Sequence, residues 1–199
     1  MRKITKIVFS GGPNVGKTSI LQELKKRGYD VRNEVFTKLF SEAQKENRFE
    51  ELFKNKKALI NKLIDLQIEE EKIDNTSTQK YIFLDRGMVD ISGFPKEIEY
   101  NLTSQEISIL ENFHYDLCFM PDPLDKQFYD QNSVRRQTFE ESLERQKQCI
   151  EVYREFYKKR NLDPEKYIVF VPSFLNHENL SVNKRADFVI KTLKEKQFL

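Results

Sequence analysis

The run Gly11-Gly12-Pro13-Asn14-Val15-Gly16-Lys17-Thr18 matches the pattern G-x-x-x-x-G-K-[ST] without a gap. A loop of this kind, set between a strand and a helix, turns its backbone N–H groups toward a polyphosphate, and the helix N-terminus adds partial positive charge. Lys17 is placed to reach the outer phosphate oxygens. The Thr18 hydroxyl is placed to sit on magnesium, and Ser19 extends the phosphate-binding run. The flanks agree: an apolar run ends at Ser10, and a helical pattern begins near Gly16. The chemistry implied is the binding of a nucleoside triphosphate, ATP or GTP, with Mg2+.

Three further places carry side chains suited to that chemistry. Tyr81-Ile82-Phe83-Leu84-Asp85 is a hydrophobic run ending in an acid, the form of a Walker-B strand whose Asp holds magnesium directly or through water. Arg86 follows it. Many hydrolytic P-loop machines place a water-activating Glu at that position, so Arg86 points away from a mechanical ATPase and toward a clamp on a phosphoryl group or acceptor. A solvated Asp–Arg pair at a strand end is the plainer alternative. Glu34 follows the second strand candidate. It is read either as a carboxylate that takes a proton from an acceptor hydroxyl, or as an acid favoured by the dipole of the helix it starts. Arg135 and Arg136 lie at the end of a segment spanning about residues 121–138, a lid candidate whose arginines would stabilise charge on a transferring group. A solvated basic pair beside Glu140 or Glu141 is the alternative. His114 and His177 have no partners at ligand spacing.

These residues need a frame that brings them to one edge. Short apolar runs at Lys6–Ser10, Tyr29–Asn33, Lys80–Asp85, Asp116–Met120 and Tyr167–Val171 read as strands of a buried parallel sheet. Between them lie stretches of helical period: after the P-loop to Gly28, at Val35–Ala43, at Leu59–Ile68, over the long stretch after Thr138, and after Ser181. Thr103 with Glu106, and Thr138 with Glu141, have capping-box spacing. The stretches 74–79, 91–100, 121–134 and 172–180 read as the least regular. The pattern is an α/β three-layer fold in a single domain, 1–199. The 34 basic and 32 acidic side chains nearly balance, giving no electrostatic case for nucleic acid. Two cysteines make no disulfide framework, and no stretch is long and apolar enough to span a membrane. A cytoplasmic setting is expected.

With Gly11–Thr18, Arg27-Gly28-Tyr29, Glu34, Gln67, Asp85-Arg86-Gly87 with Asp90, Val134-Arg135, and Ser181 with Arg185 in view, the chain resembles the small AAA-domain P-loop ATPase/kinase family. That family is related to ribosylnicotinamide kinases and to nucleoside and nucleoside monophosphate kinases. The resemblance implies a five-stranded parallel sheet in the order 2-3-1-4-5, a nucleoside-kinase-like fold and Mg-ATP or GTP as donor. It also implies Glu34 as base, Gln67 as a reader of the acceptor, and a small nucleoside-like acceptor. One departure stands out. The family pattern often has a Tyr shortly after the Asp-Arg-Gly-x-x-Asp run, where this chain has Ser92-Gly93-Phe94-Pro95, leaving the acceptor pocket either different or unused. The alternative to a phosphotransferase is a non-catalytic or weakly hydrolytic nucleotide switch or a phosphoinositide-binding module. A small GTPase fits less well: Asp85-Arg86-Gly87 is not Asp-x-x-Gly, and in Asn183-Lys184-Arg185-Ala186-Asp187 the Asp comes one place late for a guanine reader.

Overall fold

A computed structural model describes residues 4–72, 80–129, 138–173 and 182–198. The five expected strands form, each within a residue or two of its sequence bounds: β1 (Thr5–Phe9), β2 (Asp30–Arg32), β3 (Tyr81–Asp85), β4 (Leu117–Pro121) and β5 (Ile168–Val171). All pairings are parallel and the order is β2-β3-β1-β4-β5. The intervening helices are α1 (Lys17–Lys26), α2 (Val35–Lys45), α3 (Phe49–Lys54), α4 (Lys56–Glu70), α5 (Met88–Glu97), α6 (Ser104–Glu111), α7 (Phe139–Lys158), α8 (Pro164–Tyr167) and α9 (Val182–Glu195).

The period-two alternation of strand side chains sorts the core into two layers. Ile7, Phe9, Phe83, Leu117, Phe119 and Val171 face α1 and α9, where they meet Ile20, Leu21, Leu24, Val189 and Leu193. Val8, Ile82, Leu84, Cys118, Met120 and Ile168 face the other way, onto α2, α4, α5 and α7. Strands buried on both faces are continuous apolar runs for this reason.

Local chemistry sets the helix ends. Gly28, at φ 90°, closes α1: its N–H bonds the Lys25 carbonyl at 3.0 Å and the Tyr29 N–H bonds that of Leu24 at 3.2 Å. Both capping boxes form, at Thr103/Glu106 and Thr138/Glu141. The stretch 91–100 corrects its sequence reading, since α5 runs through Ile91 to Glu97. Gly93 and Pro95 give it poor helix propensity, but its start is secured by Asp90, whose Oδ2 accepts the Gly87 N–H at 2.9 Å, and by the burial of Met88, Val89, Ile91 and Phe94. The short α3 was not marked by its sequence. Ser181 and His177 lie outside the described residues.

One buried polar knot ties the sheet to the α4–α5 side. The fully buried Tyr115 hydroxyl donates to Glu71 Oε1 at 2.5 Å and accepts from the Met88 N–H at 2.6 Å. Glu71 Oε2 takes the Lys6 ammonium at 2.9 Å, and Glu71 Oε1 also accepts from Gln67 Nε2 at 2.9 Å. Gln67 is 1% exposed: its Nε2 belongs to this knot, while its Oε1 is buried with no hydrogen-bond partner among the described residues. Tyr115→Phe leaves the Met88 amide and a Glu71 oxygen short of a partner at no change in shape. It is expected to cost about 1–3 kcal/mol in urea denaturation. A loss below about 0.5 kcal/mol, the range of neutral surface changes, would show that the knot contributes little.

Candidate functional site

The strand-to-helix turn after β1 builds a cradle open to an anion. Gly16, at φ 85°, is the N-cap of α1 and brings no side chain to cap it, and no acid occupies the first turn of α1. The leading amides of α1 are thus left for a ligand. Asn14 also takes a left-handed turn, at φ 57°. Lys17, 6% exposed, folds back so that its Nζ donates to the carbonyls of Gly11 at 3.0 Å and Gly12 at 2.7 Å. Among the described residues no carboxylate lies within ion-pair distance of it.

Two helices hold the loop from outside. On α7, Gln146 Oε1 accepts the Gly12 N–H at 2.6 Å while its Nε2 donates to the Pro121 carbonyl at 3.1 Å. Ser142 Oγ donates to the Pro13 carbonyl at 2.6 Å. A Cβ on Gly12 would sit 2.5 Å from the Ser142 carbonyl oxygen, so glycine is what lets loop and helix meet. On α9, the buried Arg185 gives NH1 to the Val15 carbonyl at 2.8 Å, and NH2 to the carbonyls of Asp122 at 3.1 Å and Val171 at 3.3 Å. It joins the P-loop to the ends of β4 and β5. Sequence reasoning missed Gln146 and Ser142 entirely, and had Arg185 only through the family pattern. Polar residues on a helix that reads as solvated gave no signal.

The acidic edge assembles beside the cradle. Thr18 Oγ1 donates to Asp85 Oδ2 at 2.8 Å, across from the end of β1 to the end of β3. Asp85 Oδ1 is buried and accepts no hydrogen bond from any described residue. The Thr18 hydroxyl and the Asp85 carboxylate, with its orphaned buried oxygen, are hard-oxygen donors that fit Mg2+ bound alongside phosphates. No group of three or more His, Cys, Asp or Glu that could hold a metal occurs among the described residues, so protein donors alone do not make a cage here. Arg86 follows at φ 66°, a left-handed conformation unusual for a non-glycine residue and of a kind found at functional sites. That turn aims its guanidinium along the rim: Nε donates to Glu34 Oε1 at 2.6 Å and NH1 to Asp90 Oδ1 at 3.0 Å. Glu34, at the start of α2, also accepts from Thr37 Oγ1 at 2.5 Å.

The charges are mutually perturbed. Burial by itself would lift the Glu34 carboxyl, but the Arg86 guanidinium, then Lys17 and the Thr37 hydroxyl, hold it below the usual carboxylate range. Asp85 goes the other way: burial and then the Glu34 charge raise it, against Lys17 and Thr18. Burial, and then the Arg86 charge, bring Lys17 down to about 8. The fold thus brings together every sequence-proposed residue from Gly11 to Ser19 with Glu34, Asp85 and Arg86. Arg135 and Arg136 lie outside the described residues.

Lys17 sets a measurable proton linkage. Below a pH of about 8 the folded and unfolded chains both hold its proton, and the buried charge counts against the fold. Between about 8 and the ordinary 10.5 the folded chain has released a proton that the unfolded chain keeps, so stability from this group rises with pH across that window. A polyphosphate at the loop reverses the shift by favouring the ammonium. Calorimetry of Mg-AMP-PNP binding in buffers of different ionisation enthalpy is expected to show uptake approaching about one proton at pH 9 and none near pH 6.5, with Lys17→Met abolishing it. Equal proton uptake at both pH values would rule out Lys17 as the phosphate partner.

The sheet order and helix layers recur in solved structures of low sequence identity. A NadR protein in complex with NR aligns at TM-score 0.59 and 15% identity over 96% of this chain and 50% of that one, so this chain spans half of that protein's length. Deoxyadenosine kinase from M. mycoides, with products dCMP and a flexible dCDP bound, aligns at 0.59 and 17% over 96% and 99%. Thymidylate kinase from Ehrlichia chaffeensis aligns at 0.56 and 16% over 96% and 98%. Such likenesses establish the P-loop kinase-like fold. The sequence matches no curated protein. The AAA domain family model matches residues 6–165, from β1 past the phosphate cradle, the Asp85–Arg86 edge and α7, and the chain belongs to that family.

Proposed function

We propose that the protein is a Mg-dependent phosphotransferase that moves the γ-phosphoryl group of ATP, or of GTP, to a hydroxyl on a small, nucleoside-like acceptor. The observation that carries this is the adjacency of two half-sites: an uncapped P-loop helix whose Thr18 bonds Asp85, and, one residue beyond Asp85, an Arg86–Glu34 pair on the same rim. In parallel α/β sheets ligands bind at this carboxyl edge.

In this reading the P-loop amides and Lys17 hold the β and γ oxygens. Thr18 and Asp85 would hold Mg2+, which when bound neutralises charge on the phosphates. Arg86 faces the transferring group from the acceptor side, kept in place by Glu34 and Asp90. Glu34, ionised at neutral pH because Arg86 lies beside it, takes the acceptor's proton as the new P–O bond forms and the bond to the β-γ bridging oxygen breaks, leaving ADP or GDP. Arg135 and Arg136 would add positive charge from the segment about 121–138. The nearly balanced net charge argues for a small-molecule acceptor and not nucleic acid. No helix among the described residues is long and apolar enough to cross a membrane. We read residues 1–199 as one kinase-like domain working in the cytoplasm.

A nucleotide-dependent switch without transfer, or a phosphoinositide-binding module, is the second reading. What favours it is that Phe94, near the place of the family's Tyr, packs edge-on against Phe36 at 5.2 Å next to the Glu34 helix start. Glu34→Gln separates the two. A screen of nucleosides with labelled ATP identifies the acceptor, and the variant is then expected to lose about 10²–10⁴-fold in transfer rate while binding Mg-AMP-PNP within about twofold of wild type. Tight nucleotide binding with no transfer to any acceptor would sink the transferase and leave the switch.

A further inference from the structure

The phosphate loop is held by its carbonyls from both flanks. On the α7 side Ser142 takes the Pro13 carbonyl, and further along that helix Cys149 and Tyr153 help to line a cavity of about 380 Å³ beside Arg86. On the α9 side Arg185 takes the Val15 carbonyl through NH1 at 2.8 Å, while its NH2 spans the carbonyls of Asp122 and Val171 at the ends of β4 and β5. A trans peptide sets its C=O and the following N–H in opposite directions, and the Val15–Gly16 bond is trans. Holding the Val15 carbonyl on the α9 side therefore turns the Gly16 N–H the other way, into the cradle. Gly16 is the N-cap of α1, so this amide is one of those with no acceptor inside the helix. Loop and guanidinium meet at contact: a Cβ on Gly16 would lie 2.8 Å from Arg185 NH1.

The fold tolerates several costs to keep this arginine. Arg185 is 3% exposed, and its Nε is buried with no acceptor among the described residues. It stands in the first turn of α9, where the helix dipole disfavours a cation. Burial brings its pKa down to about 10, against the Asp122 charge. Among the described residues no carboxylate lies within ion-pair distance of it; its terminal nitrogens rest on carbonyls, which satisfy hydrogen bonds without cancelling charge. A link between α9 and the strand ends needs no charge, since well-packed apolar side chains make such links at no loss of stability. What an apolar side chain could not do is hold a backbone carbonyl.

We propose that Arg185 is a positioning residue of the donor site: by holding the Val15 carbonyl it presents the Gly16 N–H to a phosphate oxygen. It acts through one peptide plane and not by contact with the phosphates. The inference rests only on the nucleotide-binding half of the proposed function and is indifferent to the acceptor.

Val15-Gly16 is the one Val-Gly pair in the sequence, so a chain made with carbon-13 carbonyl valine and nitrogen-15 glycine gives a single carbonyl–amide correlation, from this peptide. That signal is followed as Mg-AMP-PNP, or Mg-tripolyphosphate, which lacks a nucleoside, is added, and calorimetry gives each Kd. In the wild type the Gly16 proton is expected to move downfield with both probes. Arg185→Met is expected to shift the Val15 carbonyl signal of the free chain, to shrink the Gly16 response, and to weaken both probes about tenfold or more. Arg185→Lys, which keeps a donor able to reach a carbonyl, is expected to fall between. Affinity following the Val15 carbonyl signal across the three chains upholds the inference, and a merely structural role would not produce that correlation. If Arg185→Met does not fold, the wild type and Arg185→Lys carry the comparison. Affinity within about twofold of wild type in a variant whose Val15 carbonyl signal shows the grip lost would overturn it. Weakened AMP-PNP with unchanged tripolyphosphate would also overturn it, by putting Arg185 at the nucleoside end. A Gly16 amide unmoved while calorimetry reports binding would overturn it and leave the donor site standing. No binding of either probe by the wild type would remove the donor site itself, and the inference with it.

Discussion

An ionised carboxylate taken out of water must find its hydration again in the protein's own donors. Asp90, with 3% of its side chain exposed, finds it in the Ser10 hydroxyl at 2.5 Å, the Arg86 guanidinium at 3.0 Å, the Gly87 amide at 2.9 Å and the Tyr153 hydroxyl at 2.8 Å. These donors come from the end of β1, the turn after β3, and the middle of α7. Hydrogen bonds to a charged group are each worth about 1.5–3 kcal/mol, and none can be given up cheaply once the acceptor is buried. The carboxylate therefore fixes the separation of the P-loop strand, the Asp85–Arg86 edge and α7. It also starts α5 and holds Arg86 from one side, leaving the other side of that guanidinium for Glu34.

Around that anchor the site is organised as a set of charges whose mutual fields are incomplete. Glu34 and Asp85 lie on one rim and repel, which is part of why Asp85 is raised while Glu34, with Arg86 against it, is lowered. Lys17 sits among carbonyl oxygens that satisfy its hydrogen bonds without cancelling its charge. Each imbalance has a complement in a metal-bound polyphosphate: negative charge for Lys17 and the uncapped helix, positive charge for the orphaned Asp85 oxygen. A site of purely structural ion pairs would close these terms internally. Here the closed pair, Arg86 with Glu34, is displaced to the flank of the open ones.

What could be read in the sequence, and what could not, divides by the range of the interaction. The strands were legible because burial on both faces demands unbroken apolar runs, and the P-loop because its function is written in contiguous residues of restricted type. Gly28 and the two capping boxes were legible for the same reason, being contacts within three or four residues. The side chains that shape the loop from outside were not. Gln146 is 134 residues from the Gly12 amide it accepts, and Arg185 is 170 from the Val15 carbonyl. Nothing in the local pattern of a charged helix distinguishes a buried glutamine from a solvated one. Helix α5 was hidden by Gly93 and Pro95, whose local cost is outweighed by core burial and by Asp90 at its start. Gln67 was proposed only through the family resemblance, and its contact with Glu71 through Nε2 is another that no local pattern signals.

The long-range pieces share one geometric device. Ser142, Gln146, Cys149 and Tyr153 recur at intervals of four, three and four along α7, which puts them on one stripe of the helix. The first two meet the P-loop, and the last two line the cavity beside Arg86. Between these two ends the helix runs unbroken, so one element carries both the grips on the P-loop and part of the cavity lining. Its C-terminal half is fixed by the buried Tyr153, Phe156 and Tyr157, while its first turn follows directly from the segment that ends at residue 137. The N-terminal half of α7 meets the donor loop through Ser142 and Gln146, and its first residue, Phe139, packs edge-on against Tyr129 at 5.7 Å.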